Sequence, residues 1–395
     1  MRIAHGGRAR GFSLVELMVS VVIGLLALLF ALRLFTGAEA GRQSALGGSD
    51  SMQNGMVALF SISGDAEQAG YGLNDPVVAG CNTVFSDTRG YQLAPAMRGA
   101  TPIRPLAPVV IESNGANPDR VSFYAGSSVG GTGMLKVVGN YASGTLLQVD
   151  RKEFTFDDAP SSVILVAPDQ AGGDCALAQI SGPPATSGGN SQISIRFASG
   201  GANRYNSGAL GASFTANAAR VFNLGPADTL SFHTWSVADG YLQLRSTGVS
   251  GSPATPATVA DNIVSIKAQY GFDTRAGAAF QPERGMQVGA WSSTMINADG
   301  AGVVGDAGDW QRIAAVRLAV VARSKAVERV AAGADCSATA SAPVVFGGEV
   351  PKGVTPAPVT LNVAVAGDPV DWHCYRYRVF ETVVMLRNAS WRPPE

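Results

Sequence analysis

Residues 10–30 read RGFSLVELMVSVVIGLLALLF, and in that run one carboxylate, Glu16, stands among residues that otherwise prefer lipid. The apolar stretch extends from Phe12 to Phe35, and charges interrupt it only at Glu16 and Arg33. Its uncharged core, Leu17 to Leu32, makes roughly 24 Å of helix at about 1.5 Å per residue. That is short of a hydrocarbon core of about 30 Å. Adding Phe12 to Val15 and letting the Arg33 head reach the interface makes it long enough to cross. A charge at bilayer depth costs about 2.5–3.5 kcal/mol. Glu16 therefore needs a partner.

The residues upstream suggest one. The first eleven carry Arg2, Arg8 and Arg10 and no acid, which places this end in the cytoplasm. Arg33 and Arg42 follow the span and weaken that asymmetry. A secretory signal would end in a small-residue site after the apolar run. Here the small residue, Gly11, comes before it. A cut at that point removes the basic leader, residues 1–11, and keeps the helix on the mature chain.

The string Gly11-Phe12-Ser13-Leu14-Val15-Glu16 resembles the type III signal of type IV pilins and type II secretion pseudopilins. The resemblance implies a prepilin peptidase that cuts between Gly11 and Phe12 and N-methylates Phe12. Glu16 then becomes the fifth residue. Near the first turn of a helix a carboxylate is favoured by unsatisfied N–H groups and the macrodipole. The cut adds a cation, the α-amine of Phe12. By resemblance to pilins, Glu16 pairs with that amine on a neighbouring subunit and sets the register of the helix bundle. Phe12 and Glu16 are four apart, so a pair within one chain is also open.

Beyond the span (12–35) the pattern turns amphipathic over 36–68, with Met52, Met56, Leu59, Phe60 and Ser63 at helical spacing. One helix is expected from Phe12 to about Gln68, bending or fraying at Gly37, Gly41, Gly47, Gly48 and Gly55 and ended by Gly70-Tyr71-Gly72. Over 69–395 the period becomes two. DRVSFYAG (119–126), SVILVAP (162–168), SQISIRFA (191–198), DTLSFHTWSV (228–237) and GYLQLRST (240–247) read as strands. Segments 181–190, 247–256 and 351–358 read as loops. The strings DNIVSIKAQYGFDT, QRIAAVRLAVVARS and RVFETVVMLRN resemble segments of PilW-like minor pilins. The fold class expected is α+β: a long N-terminal membrane-spanning helix packed on a large antiparallel β-rich pilin-like body of one or two lobes.

Net charge is −1, with no basic block outside the N-terminus, so nothing resembles a nucleic-acid footprint. Cys81, Cys175, Cys336 and Cys374 lack metal-ligand spacing. An even count in an exported chain favours two disulfides. Three pairings are possible; we take Cys81–Cys175 with Cys336–Cys374, because each closes a moderate loop within one half of the chain. Gly126-Ser127-Ser128-Val129-Gly130 matches G-x-S-x-G, but glycines rather than a helix follow, so it reads as a turn. His233 and His373 read as structural. The loop NADGAGVVGDAGD (297–309) offers Asp299, Asp306 and Asp309 without EF-hand spacing. Some pseudopilins bind calcium in such loops, so calcium is a weak candidate there; no cofactor is otherwise expected.

The resemblance implies a non-enzymatic minor pilin needed to initiate type IV pilus assembly. Its partners would be prepilin peptidase, other minor pilins, the major pilin and the inner-membrane assembly machinery. It would sit in the inner membrane with a periplasmic C-terminal domain, then in the pilus near the tip. A large type II secretion pseudopilin and a tip-displayed adhesin, with 75–255 as its binding module, are the alternatives.

Overall fold

The computed structural model describes residues 13–127, 134–151, 162–187, 192–201, 203–328, 330 and 334–389, with backbone only over 36–47, 185–187 and 192. Two compact units, Met1–Asp50 and Ser51–Glu395, make up the chain. A 55-residue helix, α1 (Leu14–Gln68), stays helical through all five glycines rather than fraying. Gly70 (φ +82°) and Gly72 (φ +74°) then turn the chain.

Five strands order as a meander within the second unit: β1 (Val109–Glu112), β2 (Arg120–Ala125), β3 (Ser231–Ala238), β4 (Tyr241–Ser246) and β5 (Ala257–Asp261), giving β5-β4-β3-β2-β1. Four more, β6 (Ile263–Phe272), β7 (Ala290–Ser292), β8 (Ile313–Arg323) and β9 (Tyr377–Met385), order as β7-β6-β8-β9. Every pairing in these two sheets is antiparallel. All ten residues of β6 are buried. One face meets the main core through Ile266, Ala268, Tyr270 and Phe272. The other carries polar Lys267 and Gln269, which the chain covers and satisfies. Arg317 on β8 lies over the Trp291 and Phe346 rings and donates to Gln269. Burial lowers its pKa to about 10, so it stays charged at neutral pH.

A six-stranded sheet holds Cys81–Val84, Ser162–Pro168, Asp174–Gln179 and Ala219–Pro226. SVILVAP is apolar throughout because both faces are covered. Val163 and Leu165 join the main core, while Ile164 and Val166 face a second core shared with Ile193, Ile195 and Leu147. Three separate apolar cores thus lie within one compact unit, where the sequence left one or two lobes open. Cys81–Val84 pairs in parallel with Asp174–Gln179 inside the largely antiparallel body. One expectation is corrected. The 181–190 loop contains a short strand, Ala185–Ser187, which pairs with Gln192–Arg196.

Cys81 is joined to Cys175 and Cys336 to Cys374. The first links neighbouring strands and is fully buried. The second ties residues 38 apart around a turn at Trp372–Cys374. Replacing both Cys336 and Cys374 with Ala should lower stability by about 2–4 kcal/mol, since the open chain regains loop entropy. The readout is the guanidinium unfolding midpoint. An unshifted midpoint would mean that this crosslink constrains nothing.

Candidate functional site

The apolar part of α1, Leu14–Phe35, is 22 residues long, about 33 Å at 1.5 Å per residue. It is therefore long enough to cross a membrane without help from Phe12. None of its large apolar side chains is buried; Phe30 is 67% exposed and Phe35 79%. Glu16 lies in its first turn, where backbone N–H groups lack helical acceptors. Ser20 Oγ donates to the Leu17 carbonyl at 2.9 Å, so that hydroxyl needs no outside partner. Gly11 and Phe12, the expected processing pair, lie outside the described residues.

Within the second unit the last turns of α1 dock through small side chains. Ser51, Gly55, Ala58, Ile62 and Ala66 form the buried face. The expected apolar stripe is split: Leu59 packs against the core, while Met52, Met56 and Phe60 are exposed, Phe60 by 81%. Close approach explains the small-residue face. A Cβ on Gly55 would stand 2.1 Å from the Phe380 ring on β9, so only glycine lets the helix lie there. Polar contacts fix the axial position. Asn54 donates to the Asp261 carboxylate, and Asn388 donates to the carbonyls of Gln68 and Ala69.

Asp65 completes the clamp. One of its oxygens accepts from Trp235 Nε1 at 2.7 Å and meets His233 Nδ1 at 2.8 Å. Ser231 Oγ lies 3.4 Å from His233 Nε2, making a Ser–His–Asp row that the sequence did not reveal. The row serves docking. Ser231 sits on a regular strand two residues from His233, with no strained elbow to present its hydroxyl, and Asp65 is shared with Trp235. His373 stacks on Trp372 and contacts Asp371. In the G-x-S-x-G string, Ser128, Val129 and Gly130 lie outside the described residues.

The three acids of the 297–309 loop do converge, with carboxylate oxygens within 4.8 Å of one another. The loop is more than a solvated turn. Asp306 caps a short helix, α2 (Ala307–Trp310), by accepting from the Asp309 amide. Asp309 is fully buried and accepts from the amides of Ala298, Asp299 and Gly305. Burial pushes its carboxyl above the usual range, against those amides. Trp310 fixes the loop by packing on Gly80, whose φ is +71° and whose absent Cβ would stand 2.1 Å from the indole.

One family match falls within each unit. The prokaryotic N-terminal methylation motif matches residues 7–32. The type IV pilus-assembly protein W family matches residues 234–388, nearly all of β3 to β9. No curated protein gives a significant match. A type IV-like pilin from Thermus thermophilus aligns in structure over 86% of this chain and 97% of its own, at 10% identity and a TM-score of 0.30. That likeness is too distant to inform the fold. With a methylation motif heading a membrane-length helix and a match to the pilus-assembly protein W family over its C-terminal sheets, the chain is similar to PilW-like minor pilins of the type IV pilus.

Proposed function

We propose that the protein is made as a precursor and inserted in the inner membrane with residues 51–395 in the periplasm. It loses residues 1–11, is methylated on Phe12, and then joins other minor pilins in the complex that initiates the pilus. It would remain near the tip. One observation carries the reading: Leu14–Phe35 is apolar and exposed all round, with a single acid in its first turn. Such a segment needs lipid first, and afterwards the helices of other subunits. The two disulfides fit an oxidising compartment. The match to the pilus-assembly family favours this reading over a secretion pseudopilin. No cofactor enters it, and the Asp299–Asp306–Asp309 cluster is read as the cap of α2.

Processing is the direct test. Intact-mass measurement of protein from a host with active prepilin peptidase should show the loss of residues 1–11 and the gain of one methyl group. Gly11→Ala should slow cleavage only in part, whereas a bulky residue there should block it. An uncut N-terminus in such a host would overturn the reading.

A further inference from the structure

A cleft of about 210 Å³ opens on the polar face of the β1–β4 sheet, under the segment 92–95. Arg104, Arg120 and Arg245 line it, with one acid, Glu112. Strand register builds the floor. Glu112 pairs with Arg120 across β1 and β2, and Thr234 on β3 stands between Ser122 and Arg245. The Thr234 hydroxyl is held by Tyr91 (2.9 Å) and Ser122 (2.8 Å), so the floor is ordered from beneath.

The arginines keep most of their donors. Arg104 gives one N–H to the Leu93 carbonyl at 2.7 Å, and Arg245 one to Ala254 at 3.3 Å. Arg120 meets Glu112 at 3.4 Å, a long contact on a side chain 55% exposed. Five donors per guanidinium leave a surplus. Burial pushes the Glu112 carboxyl up, although Arg120 and Arg104 pull it down. Three fixed cations against one acid make a place for an anion.

We propose that this cleft binds a small carboxylate ligand of monosaccharide size, held by the Arg120 and Arg245 guanidiniums with its hydroxyls on Thr234, Ser236 and Gln92. Planar guanidinium forks match a carboxylate in two-point geometry. Glu112 shows that a carboxylate already fits beside Arg120. The volume lies below the roughly 300–1,000 Å³ of drug-sized pockets. Leu93 is the one large apolar side chain in its lining, whereas a protein partner burying about 1,600 Å² would want a broad apolar core. Arg120 and Gln92 precede the 234–388 family match, whereas Thr234, Ser236 and Arg245 lie within it.

The test uses the full chain in a polyoxyethylene detergent, titrated with D-glucuronate and followed by saturation-transfer NMR. Saturable binding is expected for glucuronate and none for D-glucose. Arg120→Gln and Arg245→Gln should each weaken it about tenfold, for one lost charge-assisted contact. Glu112→Gln should tighten it by removing the internal competitor, a sign that misfolding cannot produce. Equal binding of glucose and glucuronate, or an unchanged affinity in Arg245→Gln, would overturn the proposal. So would tighter binding of glucose 6-phosphate, which would assign the cleft to phosphate. Binding of a Glu-containing peptide without glucuronate would assign it to a protein partner.

Discussion

Asp119→Ala should destabilise residues 51–395 by about 3–5 kcal/mol, the usual cost of stranding a buried charge. Asp119 and Lys267 are 1% exposed each, and Lys267 Nζ lies 2.5 Å from Asp119 Oδ1. The carboxylate also accepts from the amides of Asn114 and Ala268. The ammonium donates besides to the carbonyls of Gly115 and Asn117. Together these bonds tie the β1–β2 turn to the middle of β6. Truncating Asp119 leaves an ammonium and two amides short of an acceptor in a place water does not reach. Lys267→Met added to Asp119→Ala should recover part of the loss, because the orphaned charge then disappears. The readout is the guanidinium midpoint of the full chain, followed by tryptophan fluorescence. A loss below about 1 kcal/mol would fall within what an exposed pair contributes, and the pair would then be incidental to the fold.

Asp119 illustrates where the sequence stops being legible. It heads the string DRVSFYAG, and nothing local separates it from a solvated strand start; its partner lies 148 residues on. The membrane span was legible because lipid dictates composition over a whole segment. So were the strands with long β-branched runs, such as Ile313–Arg323. The short strands Cys81–Val84 and Val109–Glu112 were missed, since four residues carry too little periodicity. The docking face of α1 was only partly legible. Apolar spacing picked Met52, Met56, Leu59, Phe60 and Ser63, and of these Leu59 packs on the core while Met52, Met56 and Phe60 are exposed. Helix-to-sheet distance is set by what the partner can tolerate, and a Cβ on Gly55 would meet the Phe380 ring. The row Ser231–His233–Asp65 and the arginine cleft depend on strand register and on distant partners. Asp299, Asp306 and Asp309 were found together because one loop carries all three.

Glu16→Ala should abolish recruitment of this subunit while leaving its body folded. The acid stands in the first turn of a helix whose side chains from Leu14 to Phe35 are all exposed. Removing it takes away a charge that costs about 2.5–3.5 kcal/mol at bilayer depth, so insertion should be unharmed or improved. Residues 51–395 form a compact unit of their own, so their unfolding midpoint should not move. What should suffer is docking: on the proposed pairing, the α-amine of a neighbouring subunit loses its anion in a medium without water. Breaking one partner of a buried pair costs about 3–5 kcal/mol, a fall of about two to four powers of ten in the docking equilibrium. Glu16→Gln keeps the shape without the charge and should behave like Ala. Glu16→Asp keeps the charge but shortens the reach by one methylene, and should fall between. The measurements are piliation and crosslinking to the other minor pilins at matched protein levels. Full piliation and crosslinking in Glu16→Gln would mean that packing alone sets the register, and the charge pairing proposed for Glu16 would have to be given up.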